Sequence, residues 1–146
     1  MKRVIWSLGT STRTPEEFLA VLRAYGIAQV ADVRHFPGSR RFPHFGKEAF
    51  AQFLAEAGVR YEWLGETLGG YRRGGYEAHM QTPEFAQGLA RLEAMAAQAP
   101  TAFVCAERLP WKCHRRHIAQ ALAARGWDVR HIIEEDRLWH PSVAHP

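Results

Sequence analysis

Apolar residues recur along this chain in two alternating styles. Short apolar or alternating runs over Val4–Leu8, Ile27–Val33, Val59–Trp63, Thr101–Ala106 and Trp127–Ile133 read as strands. Between them the apolar positions take helical spacing. Thr14 as N-cap, Pro15 at the first helical position and Glu17 closing a capping box open a first helix. Its face is Phe18, Leu19, Leu22 and Tyr25, and Gly26 stops it. A second helix is expected over Lys47–Ala57, with Phe50, Phe53 and Leu54 on one side and Gly58 as its stop. Thr82-Pro83-Glu84 starts a third, running to about Gln98, and a fourth covers Cys113–Arg125 up to Gly126. A Gly/Pro/Arg loop follows the second strand, and a Gly/Tyr/Arg loop fills Leu64–Gln81. Residues from about 134 to 146 read as a polar tail.

Strands that alternate with helices predict an α/β fold: a single three-layer domain over 1–146, with a mostly parallel sheet of about five strands and helices on both faces. In such a domain every loop that leaves a strand for a helix lies on one edge of the sheet, where ligands bind. Strand order is not legible from the sequence.

Composition narrows the class. The 146 residues are 47% hydrophobic and 23% charged, as in an ordinary globular domain. No apolar run approaches the roughly 20 residues that span a bilayer, and the apolar part of the basic N-terminus is too short for a signal peptide, so a cytoplasmic protein with no membrane partner is expected. Two cysteines do not make a disulfide scaffold. The net charge is +4, but its placement says more than its size. Arg34, Arg40, Arg41 and Lys47 occupy the loop after the second strand with no acid among them, and four cations face one acid over Glu107–Arg116. The loop edge of the sheet should therefore be electropositive and favour an anionic partner.

The richest segment runs from Cys105 to Arg116. A helix opening at Cys113 would aim free N–H groups and its positive dipole end at the sheet edge, with Arg115 adding charge. That field would seat an anion and would also lower the pKa of Cys113. Glu107 stands where a general acid or base is useful, and His114 beside Cys113 could assist. Cys105, inside an apolar strand, reads first as core. Cys105, Cys113, His114 and His117 lack a tight C-x-x-C pair, which weighs against zinc, and neither a metal nor a cofactor is expected. A phosphatase-type loop requires Arg six residues after the nucleophile, and Trp111 holds that place after Cys105.

Asp32 and Arg34 lie on one side of the second strand, set to pair with each other or to orient a ligand together. Ser39 and Arg40 follow in a loop whose cations and aromatics suit phosphates and stacked bases, or equally suit a loop pinned by its aromatics. Gly69 and Gly70 let backbone approach a ligand, in a segment that reads either as a lid or as a plain loop. His131, in the fifth strand, is a secondary acid–base candidate beside the more common core role.

Asp32-Val33-Arg34 with Pro37 and Ser39, Tyr61, Leu68-Gly69-Gly70, Cys105-Ala106-Glu107, Pro110, Cys113-His114-Arg115 and His131-Ile132 occur in an order that resembles a bacterial and archaeal family, domain of unknown function four-eight-eight. The resemblance implies a compact α/β domain with these residues gathered at one site, and it carries no reaction. The expectation is an enzyme acting on a phosphorylated, nucleotide-like or nucleic-acid ligand, cleaving a glycosidic or phosphoester bond. Asp32, Glu107, Cys113 and His114 would do the chemistry, and Arg34, Ser39, Arg40, Gly69, Gly70 and Arg115 would hold the anion. The alternative is a non-catalytic nucleic-acid-binding module. Oligomeric state is not legible.

Overall fold

The computed structural model describes residues 3–38 and 40–139. Ser39 and the stretch 140–146 lie outside the described residues. The elements run β1 (Arg3–Gly9), α1 (Pro15–Ala24), β2 (Gln29–Asp32), α2 (Lys47–Glu56), β3 (Arg60–Trp63), the short α3 (Gly65–Leu68) and α4 (Tyr76–His79), α5 (Pro83–Gln98), β4 (Thr101–Cys105), α6 (Arg115–Ala124), β5 (Trp127–Glu134) and β6 (Arg137–Trp139). The Thr14–Glu17 capping box forms as the sequence predicts.

The sheet order is β3-β2-β4-β1-β5-β6. The first five strands are parallel, and β6 returns antiparallel along β5. This is a mixed, mostly parallel six-stranded sheet in a single α/β domain. The sixth strand comes from residues that read as tail. Arg137-Leu-Trp139 pairs with His131–Glu134 after a tight turn, a signal too short to stand out as apolar periodicity.

Strand alternation sorts the core into two layers. Leu8, Val30, Val104 and Ile132 pack against Phe18 and Leu22 of α1 and Phe50 and Leu54 of α2. Ile5, Ala31, Phe103 and Val129 pack against Leu89, Leu92 and Met95 of α5 and Ile118 and Leu122 of α6. Neighbouring β1 and β4 therefore send their following helices, α1 and α6, to opposite faces. Their loops part at the carboxyl edge of the sheet and leave a crevice between them.

Candidate functional site

That crevice is a pocket of about 1010 Å³. Four loops wall it. Thr10, Ser11 and Thr12 follow β1; Arg34, His35 and Phe36 follow β2; Gly70, Tyr71 and Tyr76 lie between β3 and α5; and Glu107, Cys113 and His114 lie between β4 and α6. Among the described residues the charged lining groups are four cations, Arg34, Arg72, Arg108 and Lys112, against the single acid Glu107.

The floor is built by register. Ser7 pairs with Phe103 and with His131, and Gly9 pairs with Cys105. Ser7, Cys105 and His131 share the sheet face that α6 covers, as Ile5, Phe103 and Val129 do. Arg115, in the first turn of α6, reaches across them with its side chain fully buried. Its Nε donates to Cys105 Sγ at 2.9 Å and to Cys113 Sγ at 3.3 Å. One terminal nitrogen donates to Ser7 Oγ at 3.0 Å and the other to the Glu107 carbonyl. Ser7 Oγ in turn hydrogen-bonds His131 Nδ1. Among the described residues no carboxylate pairs with this guanidinium. A buried charge left unpaired is costly, and the anion within reach is a cysteine thiolate.

The two thiols are free, with Sγ atoms 3.0 Å apart. A hydrogen bond from Cys105 lowers the pKa of Cys113 to about 6, helped against burial by the Arg115 charge. Burial raises the thiol of Cys105 well above its ordinary value, helped by the bond it makes to Cys113. The coupled pair therefore gives up its first proton more readily than an ordinary thiol does. Cys113 does not open α6 as the sequence suggests. Pro110–Lys112 form a 3-10 turn, Cys113 is extended at φ −140°, and the helix starts at Arg115. Cys113 Sγ instead accepts the Arg115 N–H at 3.4 Å, from just ahead of the helix start. The anion seated at this helix start is thus the protein's own thiolate.

His114 lines the same wall. Its Nε2 donates to the Val33 carbonyl at 2.7 Å, which leaves Nδ1 as the acceptor nitrogen. Burial lowers its pKa to about 4, so the ring is neutral at physiological pH. Gly70 lies against this ring, where an added Cβ would come 3.3 Å from Nδ1. Glu107 Oε1 accepts the Leu109 N–H at 3.3 Å while its residue lines the pocket.

Other sequence-chosen residues stand apart from this cluster. Asp32 is fully buried and does not line the pocket. Alternation turns it to the α2 side with Val30, whereas Cys105 faces α6 with Phe103. There it holds Arg34 through two bonds, at 2.8 and 2.7 Å, and accepts the Tyr61 hydroxyl at 2.6 Å. Arg34 also donates to the Phe45 carbonyl at 2.7 Å, so most of its donor fork is spent inside the protein, although its residue borders the pocket. The loop after β2 is pinned by its aromatics, as Phe45 packs edge-on against Phe18 and Phe50. Arg40 is exposed and outside the lining. Gly69 serves packing, since an added Cβ would meet the Gly65 carbonyl oxygen at 2.4 Å. His131 is buried below the floor. No group of three or more His, Cys, Asp or Glu among the described residues is arranged to hold a metal ion.

Thr10–Thr12 and His35 carry no assignment from the sequence, whereas Tyr71 and Tyr76 belong to the basic, aromatic loops that suggest a nucleic-acid-binding module. A hydroxyl run directly after β1 and a histidine after β2 are not specific until the loops are brought together. Among the described residues no helix is long and apolar enough to cross a membrane.

Searches of curated proteins and of solved structures return no match. A family model, Domain of unknown function DUF488, matches residues 14–122. The matched span runs from the start of α1 into α6 and contains Asp32, Glu107, Cys113, His114 and Arg115, while Ser7 and His131 lie beyond it. With most of its length matched and those residues inside the match, the chain belongs to the DUF488 family.

Proposed function

We propose that the protein is an enzyme that uses the Cys113 thiolate as a nucleophile on an anionic, phosphate-bearing or nucleotide-like ligand held in the pocket. The observation that carries this reading is the fully buried Arg115, whose charge is answered by a thiolate at the floor of a cation-lined pocket. In the proposed reaction, sulfur bonds to the reacting phosphorus or glycosidic carbon as the bond to the leaving group breaks. Water that gives a proton to His114 Nδ1, or to the Glu107 carboxylate, then releases the product and restores the thiolate. Arg34, Arg108 and Lys112 favour the ligand's charge. Arg115 and Asp32 position other groups and do not touch the ligand.

Calorimetric titration with nucleotides, phosphorylated sugars and their dephosphorylated counterparts tests this. The expected result is binding of phosphorylated members only, weakened in Lys112→Ala. Cys113→Ser should retain binding and lose turnover of any member that reacts. If no member binds, or if Cys113→Ser turns substrate over like the wild type, the reading is wrong.

One observation favours a nucleic-acid-binding module instead. Phe36 and Tyr71 stand at the pocket rim 71% and 88% exposed, with ring centroids 6.1 Å apart, and the loop that carries Phe36 also carries exposed Arg40 and Arg41. Such a platform would stack bases. Oligonucleotide binding that falls steeply with salt and is lost in Phe36→Ala, with no reaction, would favour the module over the enzyme.

A further inference from the structure

Both cysteines of the chain meet at one point, although seven residues separate them in sequence. Cys105 ends β4 and is 3% exposed, whereas Cys113 is half-buried; both border the pocket. Cys113 is thus the more open of the two thiols to small molecules, with the other 3.0 Å away. A disulfide needs the sulfurs at about 2.05 Å, so closure takes roughly 1 Å of approach. The segment that must move carries a 3-10 turn and an extended residue, neither of them tied into the sheet.

We propose that Cys113 and Cys105 form a reversible, peroxide-oxidisable dithiol, with Cys113 as the attacking and Cys105 as the resolving residue. The Cys113 thiolate attacks one oxygen of hydrogen peroxide. The S–O bond forms, the O–O bond breaks, and hydroxide leaves; the sulfur is oxidised by two electrons to a sulfenic acid and the peroxide is reduced. Cys105 sulfur then attacks the Cys113 sulfur. The S–S bond forms, the S–O bond breaks, and the hydroxyl departs as water with the proton of Cys105. A small dithiol reverses the change by two thiol–disulfide exchanges and is itself oxidised to a cyclic disulfide. Once the pair has lost one proton, the adjacent sulfurs hold both the thiolate for the first step and the proton for the second. While the disulfide stands, Cys113 is no nucleophile and Arg115 has lost its counter-charge. The site would then be closed to any chemistry that depends on the thiolate. This inference does not depend on what the pocket binds.

The test treats the reduced intact chain with hydrogen peroxide and follows thiols in the denatured product. Both thiols should be lost together. The intact mass should fall by two hydrogen atoms, the elution volume on gel filtration should stay unchanged, and dithiothreitol should restore both thiols. In Cys105→Ser and, independently, Cys105→Ala, the sulfenic acid at Cys113 should persist, react with dimedone and pass on to sulfinic acid. Three outcomes overturn the proposal: both thiols survive; they are lost only as cross-linked dimers; or wild type gathers sulfinic acid as fast as the Cys105 variants.

Discussion

Arg115 is the residue on which the site turns. Its guanidinium is spent on two sulfurs, a hydroxyl and a carbonyl, and a residue that reads from sequence as a ligand for a foreign anion instead holds an internal one. The consequence appears at Cys113. Its pKa is lowered from 9.0 to about 6, first by the Cys105 hydrogen bond and then, against burial, by Arg115. The thiolate form therefore grows as pH rises through about 6, and alkylation by iodoacetamide at Cys113 should reach half its plateau near there. Cys105→Ala and Arg115→Met should each move that midpoint upward toward the ordinary thiol range. A wild-type midpoint already in that range would refute the assignment. The sign for stability follows from the same shift. The contribution of Cys113 is present above the unfolded thiol pKa and is lost as pH falls through about 6. His114 adds to this acid sensitivity. Its pKa falls from 6.5 to about 4, so its contribution is present above 6.5 and is lost as pH falls toward 4.

At the scale of elements, the site depends on two loops lying one on the other. Thr10 N–H donates to the Cys105 carbonyl at 2.8 Å and Ser11 N–H to the Ala106 carbonyl at 3.0 Å, which extends the β1–β4 pairing past the end of both strands. Gly9 permits this, because a Cβ there would stand 2.1 Å from the Glu107 carbonyl oxygen. Gly9→Ala should therefore cost about 1–3 kcal/mol in urea denaturation, the usual range for forced overpacking. It should also slow alkylation of Cys113, because the displaced Glu107 carbonyl is one of the groups that hold Arg115. Unchanged stability would mean that the β4 loop yields freely. Periodicity located the principal helices and the five parallel strands, because each carries its own apolar face. It did not reveal β6, which is three residues long, or α3 and α4, each a single turn inside a Gly/Tyr/Arg loop. It also opens α6 at Cys113, since nothing local distinguishes an extended cysteine ahead of a helix from a first helical residue.

For the whole molecule, the charge of the pocket is a collective property of four loops and should act on small reagents. Iodoacetate, an anion, should gain over neutral iodoacetamide at Cys113 in low salt. That advantage should shrink between about 0.01 M and about 0.1 M salt, where the screening length falls from about 30 Å to about 10 Å. Equal salt dependence for the two reagents would show that the pocket exerts no net attraction.

The sequence by itself determined the α/β class, the chain order of the principal elements and the cationic character of the loops that follow the strands, and it singled out Glu107, Cys113, His114 and Arg115 as candidates. Those features rest on local periodicity, caps and composition, which a chain carries without knowing its partners. The tertiary structure alone decided that β4 lies between β2 and β1, and hence which loops meet. It alone decided which side of the sheet each site residue faces. Asp32 and Cys105 end neighbouring strands but face opposite layers, because parallel register and two-residue alternation assign sides that no single segment can announce. The same register brings Ser7, about a hundred residues away in sequence, against the Cys105–Arg115 segment, and the turn between β4 and α6 folds back to make two cysteines a pair.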